Sequence, residues 1–270
     1  MTMALTGADV YARIIKGETT YDCGLVSDAK PAIKTSTLQR TGIGNVKRAR
    51  INAHDYEASW SGDVPDGVLL AALLNKDNVF DVQVHDIELI DAVVKSLRLA
   101  FDERNPLTYA VDFVGEDMAS ITALTEADID HVKGFFVMSD ATINFSGSSN
   151  TVVKSDIAAS REVEAVRGAS LDPQDFSKGP FIFEGTITVS PSTSFADVLK
   201  GKWLPTDTPF TFSAAFSAQF YDEEGDPIAA PTTVSISCSG MVASETSVNV
   251  GSTGPIEIPI KMSIEAVTVS

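Results

Sequence analysis

Cysteine is nearly absent. The two cysteines, Cys23 and Cys238, are too few for a disulfide framework or a thiolate metal cluster, so both are expected as small buried hydrophobes. Histidine is almost as scarce: His54, His85 and His131 lie far apart, none at the i, i+4 spacing of a metal site, and solvated side chains are expected. Basic residues are also in deficit, with 20 Lys and Arg against 37 Asp and Glu and a net charge of −17. That balance disfavours tight wrapping of a nucleic acid through counterion release, and leaves open a surface that repels one. No apolar run reaches the roughly 18 residues of a helical membrane span. The opening MTMALTGADVYARIIKGETT lacks a long apolar signal core. The expectation is an unprocessed chain, made and folded in a cytoplasm, with no membrane partner. Catalytic signatures are missing as well. There is no Gly-x-Ser-x-Gly elbow, TGIGNVKR lacks the remaining positions of a phosphate loop, and DVPDG lacks the oxygen ligands of a calcium loop. The chain is therefore expected to be no enzyme and to carry no cofactor and no metal.

What is present is enough to fold. With 270 residues, 28.7 kDa and 44% hydrophobic content, the chain can bury one large core or two ordinary ones. The acids are mostly Asp, 23 against 14 Glu, as suits either a protein kept hydrated at high salt in a halophilic source or an ordinary acidic protein. Short alternating apolar runs predict a mainly β fold. In TFSAAFSAQFYDE, Phe210, Phe212, Ala214, Phe216, Ala218 and Phe220 share one face, and Thr211, Ser213, Ser217 and Gln219 the other. VSISCSG repeats the pattern with Val234, Ile236 and Cys238 inward, and SLRLAFD with Leu97, Leu99 and Phe101.

Two helices are expected against this background. In DVPDGVLLAALLNKD, Asp66 caps a helix whose stripe is Leu69, Leu70, Leu73 and Leu74. In SPSTSFADVLKGKW, Ser194 caps a shorter one with Phe195, Val198 and Leu199, stopped by Gly201. A third short stretch, TEADIDHVKG, starts with Thr125 three residues before Asp128, in the manner of a capping box. The domain junction is placed there, giving domains 1–130 and 131–270.

The two halves resemble each other. Laying DYEASWSGDVPDGVLLAALL over IFEGTITVSPSTSFADVLKG pairs Tyr56 with Phe183, Glu57 with Glu184, Ser59 with Thr186, Trp60 with Ile187 and Ser61 with Thr188. Inward and outward phases agree along this match. Two weaker matches, Val26–Ala29 with Met138–Ala141 and Phe101–Glu103 with Tyr221–Glu223, do not share its offset, and the last is out of phase. A duplication is the expectation, with two unrelated β-domains as its alternative.

One charge pattern stands apart. Residues 30–53 contain no acid but hold Lys30, Lys34, Arg40, Lys47, Arg48 and Arg50. Such a tract suits docking on the acidic surface of another copy, or is a solvated loop; it lacks the interleaved aromatics of a nucleic-acid site.

The segments GLVSDAKPAIKTSTLQRTGIGNVKRARINAHDYEASWSGDV and VMSDATINFSGSSNTVVKSDIAASREVEAVRGASLDPQDFSKGPFIFEGTITV share an order. Each has a short strand, a long variable arm containing a Gly, then a strand reading aromatic-acid-small-polar before a helix. In this the chain resembles tail tube proteins of long-tailed bacteriophages and archaeal tailed viruses, over roughly residues 20–75 and 131–203. The resemblance implies a mainly β chain with a tandem pair of tail-tube-type β-sandwich or barrel domains, each with a flanking α-helix. It implies a structural protein of the virion tail whose stacked rings form the conduit for genome delivery, with other tail proteins at the tube ends. It implies as well that DNA passes through the lumen without specific binding. Two domains in one chain imply a pseudo-hexameric ring of three chains, with six chains as the alternative. Roughly 24 strands at about 4.8 Å spacing and about 40° tilt close at a diameter of roughly 45–50 Å, room for a duplex. On this view Lys30, Lys34, Arg40, Lys47, Arg48 and Arg50 join ring to ring, and Glu57, Ser59, Ser61, Glu184, Thr186 and Thr188 face the lumen. The rival class is a secreted or cell-surface β-sandwich binding module; it predicts a signal segment and an aromatic platform, and the sequence shows neither.

Overall fold

The structure is a computed structural model. It describes residues 11–21, 23–24, 26–41, 47–125, 128, 134–145, 151–190, 209–221, 226–227, 230–246 and 257–270, without the side chains of 38–41, 47–49 and 246. The first half holds β1 (Ala12–Lys16), β2 (Thr19–Tyr21), β3 (Val26–Thr41), β4 (Lys47–Asp63), α1 (Gly67–Leu74), β5 (Phe80–Val84), β6 (Ile87–Asp102), β7 (Thr108–Gly115) and β8 (Asp117–Ser120). The second holds β9 (Ala141–Phe145), β10 (Thr151–Ser160), β11 (Val163–Val166), β12 (Asp175–Lys178), β13 (Ile182–Ser190), β14 (Phe210–Ala218), β15 (Thr232–Thr246), β16 (Ile258–Ile264) and β17 (Ala266–Val269).

Eight antiparallel strands form a wall in the order β3-β4-β7-β6-β10-β13-β16-β15. Alternation gives the wall one dry face, which carries Trp60, Phe113, Leu97, Leu99, Ile157, Ile187, Ile260 and Met262, all buried. Two smaller sheets cover that face. One is β2-β1-β5-β6 with β8, and the other is β9-β14-β15 with β17. The long strands β6 and β15 each bend from the wall into a covering sheet, so each half is a sandwich that shares a strand between its layers. Phe80 meets Phe113 across the first sandwich at 6.3 Å. Phe101, at the end of β6, meets Phe212 and Phe216 of β14 at 6.5 and 5.2 Å, which ties the halves together.

The strand order of the first half repeats in the second. β3-β4-β7-β6-β5-β1 with β8 on β6 is answered by β10-β13-β16-β15-β14-β9 with β17 on β15. Register repeats too. Phe80 faces Ala92 and Val82 faces Leu89, with a bulge between; Phe210 faces Met241 and Phe212 faces Cys238, with a bulge between. The bulge between Val94 and Ser96 in β6 recurs between Ala243 and Glu245 in β15. Even the positive φ of Asp91, 48°, recurs as 62° at Gly240. Glu57 faces Val114 as Glu184 faces Ser263, so the sequence match of β4 to β13 is also a match of register. The two weaker matches are not: Met138–Ala141 leads into β9, the counterpart of β1 and not of β3, and Tyr221 follows β14 while Phe101 lies on β6.

Asp66 caps α1 by accepting from the Leu69 N–H at 2.9 Å. The helix buries Leu69, Leu70 and Leu73 and packs on β6, β15 and β17. The helix expected from Ser194 lies outside the described residues. Of the third stretch Thr125, Asp128 and Gly134 are described: the Thr125 N–H and hydroxyl both donate to Asp128 Oδ2 at 2.8 Å.

Cys23 and Cys238 are 1% and 2% exposed, and burial pushes the Cys238 thiol up to about 12. Neither should react with a maleimide in the native protein at pH 7, and both should react in denaturant; native labelling of Cys238 would show a looser second sandwich. Ser155 is fully buried on the dry face between Phe101 and Ile187, and its hydroxyl has no hydrogen-bond partner among the described residues. Ser155→Ala should therefore raise stability by about 1 kcal/mol in urea titration, the reverse of the usual core truncation.

Candidate assembly surfaces

Opposite the dry face, the wall presents a polar one. β4 places Glu57, Ser59 and Ser61 on it, and β13 places Glu184, Thr186 and Thr188 at the matching register. Thr188 is buried there, unlike the rest of the set. The charges on this face are paired in rows. Lys34 binds Glu57, and that contact raises the Lys34 ammonium above its usual range. Arg98 of β6 forks onto Asp156 of β10, with Nε to Oδ1 at 2.7 Å. Lys261 of β16 reaches Glu245 of β15 at 2.6 Å. Sequence reading missed these pairs; their signal was the common outward phase of Arg98, Asp156 and Lys261 in alternating strands.

The basic tract divides between two places. Lys30 and Lys34 lie on the wall part of β3, where Lys30 comes within 4.0 Å of Asp28. Beyond Lys34 the β3–β4 pairing runs on, from Thr35 opposite His54 to Thr41 opposite Lys47, while β4 pairs with β7 only from Tyr56 onward. The result is a two-stranded ribbon reaching about 20 Å past the wall. Arg40, Lys47 and Arg48 are on the ribbon, their side chains outside the described set, and Arg50 is exposed on it together with Ile51. An isolated two-stranded ribbon is marginally stable in water, and this one extends directly from the wall.

Among the described residues, contacts within the chain hold the ribbon's base. The loop that follows β10 carries the β11–β12 hairpin back to β4. There the His54 N–H donates to Leu171 O at 3.0 Å, the Tyr56 hydroxyl donates to Asp172 at 2.7 Å, and Arg167 binds Asp55. The bond to Asp172 raises the Tyr56 phenol to about 12. His54 stacks on Tyr56 and is half-buried, His85 sits in the β5–β6 turn with φ 54° and a buried Nδ1, and His131 lies outside the described residues.

Arg161 closes the joint between the halves. It is buried, donating from Nε to Val94 O at 2.6 Å and from Nη1 to Lys76 O at 2.7 Å, with its guanidinium 4.6 Å from the Phe181 ring centre. Among the described residues both ends of the wall are open by contrast: β3 pairs only β4, and the wall part of β15 pairs only β16.

No group of three or more His, Cys, Asp or Glu among the described residues is placed to hold a metal. No described helix is long and apolar enough to cross a membrane. The surfaces that stand out are a polar sheet face, a basic ribbon and two strand edges, all suited to assembly. Comparison with curated proteins finds no match. The family model described as phage tail tube protein does match, over residues 4–263, and the chain belongs to that family.

Proposed function

We propose that the chain builds the tail tube as rings of three copies, each copy supplying two tube domains, 1–130 and 131–270. As a tail tube protein it is a structural component of the virion tail and self-assembles into the hollow conduit. The observation that carries the three-chain reading is the eight-stranded wall with a repeat in it and both edges open. Three such walls supply roughly 24 strands, enough to close a channel roughly 45–50 Å across at the strand axes.

In this ring the polar face lines the lumen, with Glu57, Ser59, Ser61, Glu184 and Thr186 turned to water and Thr188 at its margin. Rows of alternating charge, Lys34 with Glu57 and Arg98 with Asp156, leave little net field. A duplex carries about one charge per 1.7 Å, so a basic lining would hold it and a balanced, hydrated one lets it slide. Glu57→Lys with Glu184→Lys should make assembled tubes retain duplex DNA at low salt and release it as salt rises. If the double variant binds no more DNA than the parent, this face does not line the channel. The Asp-rich exterior suits a particle that stays hydrated at high salt.

The ribbon joins one ring to the next, its Arg40, Lys47, Arg48 and Arg50 meeting carboxylates of the stacked neighbour. Exposed pairs contribute at most about 1 kcal/mol each, so repetition around the ring supplies the effect. Replacing Lys47, Arg48 and Arg50 together by Ser should give folded rings that stack poorly; tubes of normal length and salt tolerance would show the ribbon to be a solvated loop. Negative-stain imaging of concentrated protein tests the function itself. Hollow filaments or rings are expected, and separate monomers at every concentration would overturn it.

A further inference from the structure

We infer that the open edge of β15 pairs with the open edge of β3 of a second copy, in the register that β6 and β10 already use within the chain. The inference rests on the ring assembly proposed above and specifies the seam. The internal seam supplies the template. Ser96 faces Ser160, Leu97 faces Ala159 and Arg98 faces Ala158, with the Arg161 N–H bonded to Lys95 O at 3.0 Å. Matching bulges align Ser96 with Glu245 and Leu97 with Thr246. Register against β4 and β13 aligns Ser160 with Lys34 and Ala159 with Ile33. Carried over, Lys34 of one copy faces Glu245 of the next, and Ile33 faces Thr246.

Three observations favour this occupant. Ile33 is on the dry phase of β3 yet 57% exposed, whereas Ala159, at its place in the internal seam, is 3% exposed. On the other edge Val242 is 57% exposed, whereas its counterpart Val93 is 1% exposed. The β3 edge thus leaves bare an apolar place that the internal seam covers, and on the β15 edge the bare Val242 lies three residues from Glu245. Charge agrees as well. Lys34 already binds Glu57 and Glu245 already binds Lys261, so the seam completes a row Lys261–Glu245–Lys34–Glu57 of alternating sign. The internal seam is bridged in the same manner by Arg98 and Asp156, with the signs on the two strands exchanged.

The Arg161 pairing sets Lys95 and Arg161 as a hydrogen-bonded pair, which makes the next pair, the counterpart of Lys34 and Glu245, a non-hydrogen-bonded one with Cα atoms about 4.5 Å apart. That is within disulfide reach. Full-length protein carrying Lys34→Cys and Glu245→Cys, assembled and then oxidised, should cross-link between copies, with a denaturing ladder that ends at three chains and a 34–245 linked peptide; neither single variant should give the ladder. Tubes that form from the double variant without that link would overturn the seam and leave the tube reading intact. Charge exchange gives a second route that needs no cysteine. Lys34→Glu and Glu245→Lys should each raise the concentration needed for assembly about tenfold with unchanged circular dichroism, and inverting the whole row, with Glu57→Lys and Lys261→Glu added, should restore it. An inverted row as defective as either single overturns the register. A parent protein that stays monomeric at all concentrations overturns the ring reading itself.

Discussion

Phe216→Ala is expected to lower stability by about 3–5 kcal/mol and the melting temperature by roughly 6–15 °C. Phe216 is 1% exposed in β14, edge-on to Phe101 at 5.2 Å and to Phe136 at 5.9 Å. Its ring fills the space between β6, which belongs to the first sandwich and to the wall, and the covering sheet of the second. Removing it leaves a cavity lined by other aromatic rings that are themselves pinned, so little collapse offsets the loss. Because β6 is shared, the damage should not stay in the second half. Scanning calorimetry should show one transition shifted down as a whole, as expected when both halves unfold together. A variant in which the second half melts early while the first keeps its own transition would show that the common wall does not couple them.

Gly24→Val should cost about 3 kcal/mol or more, the second largest effect. Gly24 has φ 65°, a conformation that a β-branched residue does not adopt without strain. A Cβ at Gly24 would also overlap the backbone carbonyl oxygen of Asp63 and touch the Pro65 ring at 3.4 Å. The obstacle is backbone at the end of β4, which cannot swing aside. Gly240 is the instructive contrast. Its φ is 62°, and a Cβ there would meet the Glu265 carboxylate, which can swing aside, and the Glu265 Cβ, which moves only with its backbone; the matching position in the first half carries Asp91. Gly240→Asn should therefore cost about 1–2 kcal/mol, less than Gly24→Val, since Asn tolerates the left-handed region but Glu265 must shift. Equal losses for the two substitutions in chemical denaturation would contradict this account of the turns.

Alternating phase made several elements legible in the sequence. Phe210, Phe212, Ala214 and Phe216 are buried in one strand, and so are Val234, Ile236 and Cys238, because a half-buried strand records its environment residue by residue. The Asp66 cap was legible for a similar reason, since the side chain that marks the helix start also makes the bond. The match of Tyr56–Ser61 with Phe183–Thr188 held in register because the two strands sit between corresponding neighbours, β3 and β7 for one, β10 and β16 for the other. What was not legible is the counterpart of β3. Its place is taken by β10, where Pro31, Ala32 and Ile33 are answered by Ile157, Ala158 and Ala159. One strand is an open edge and the other is central, so their side chains answer to different surroundings and share little. The joining of the halves through β6 and β10 was equally hidden, being made by backbone hydrogen bonds that any sequence can form. Lys34 illustrates the limit at the assembly surfaces: its charge was legible, its partner Glu57 was not, because strand pairing brings them together and sequence spacing does not.

The central claim is that one chain supplies two of the six positions in a ring. Native mass spectrometry of isolated rings tests it most directly, because copy number follows from mass without any assumption about shape. The account predicts three copies of the 28.7 kDa chain in each ring. Six copies would contradict it, since eight strands from each of six chains would close a wall about twice as wide.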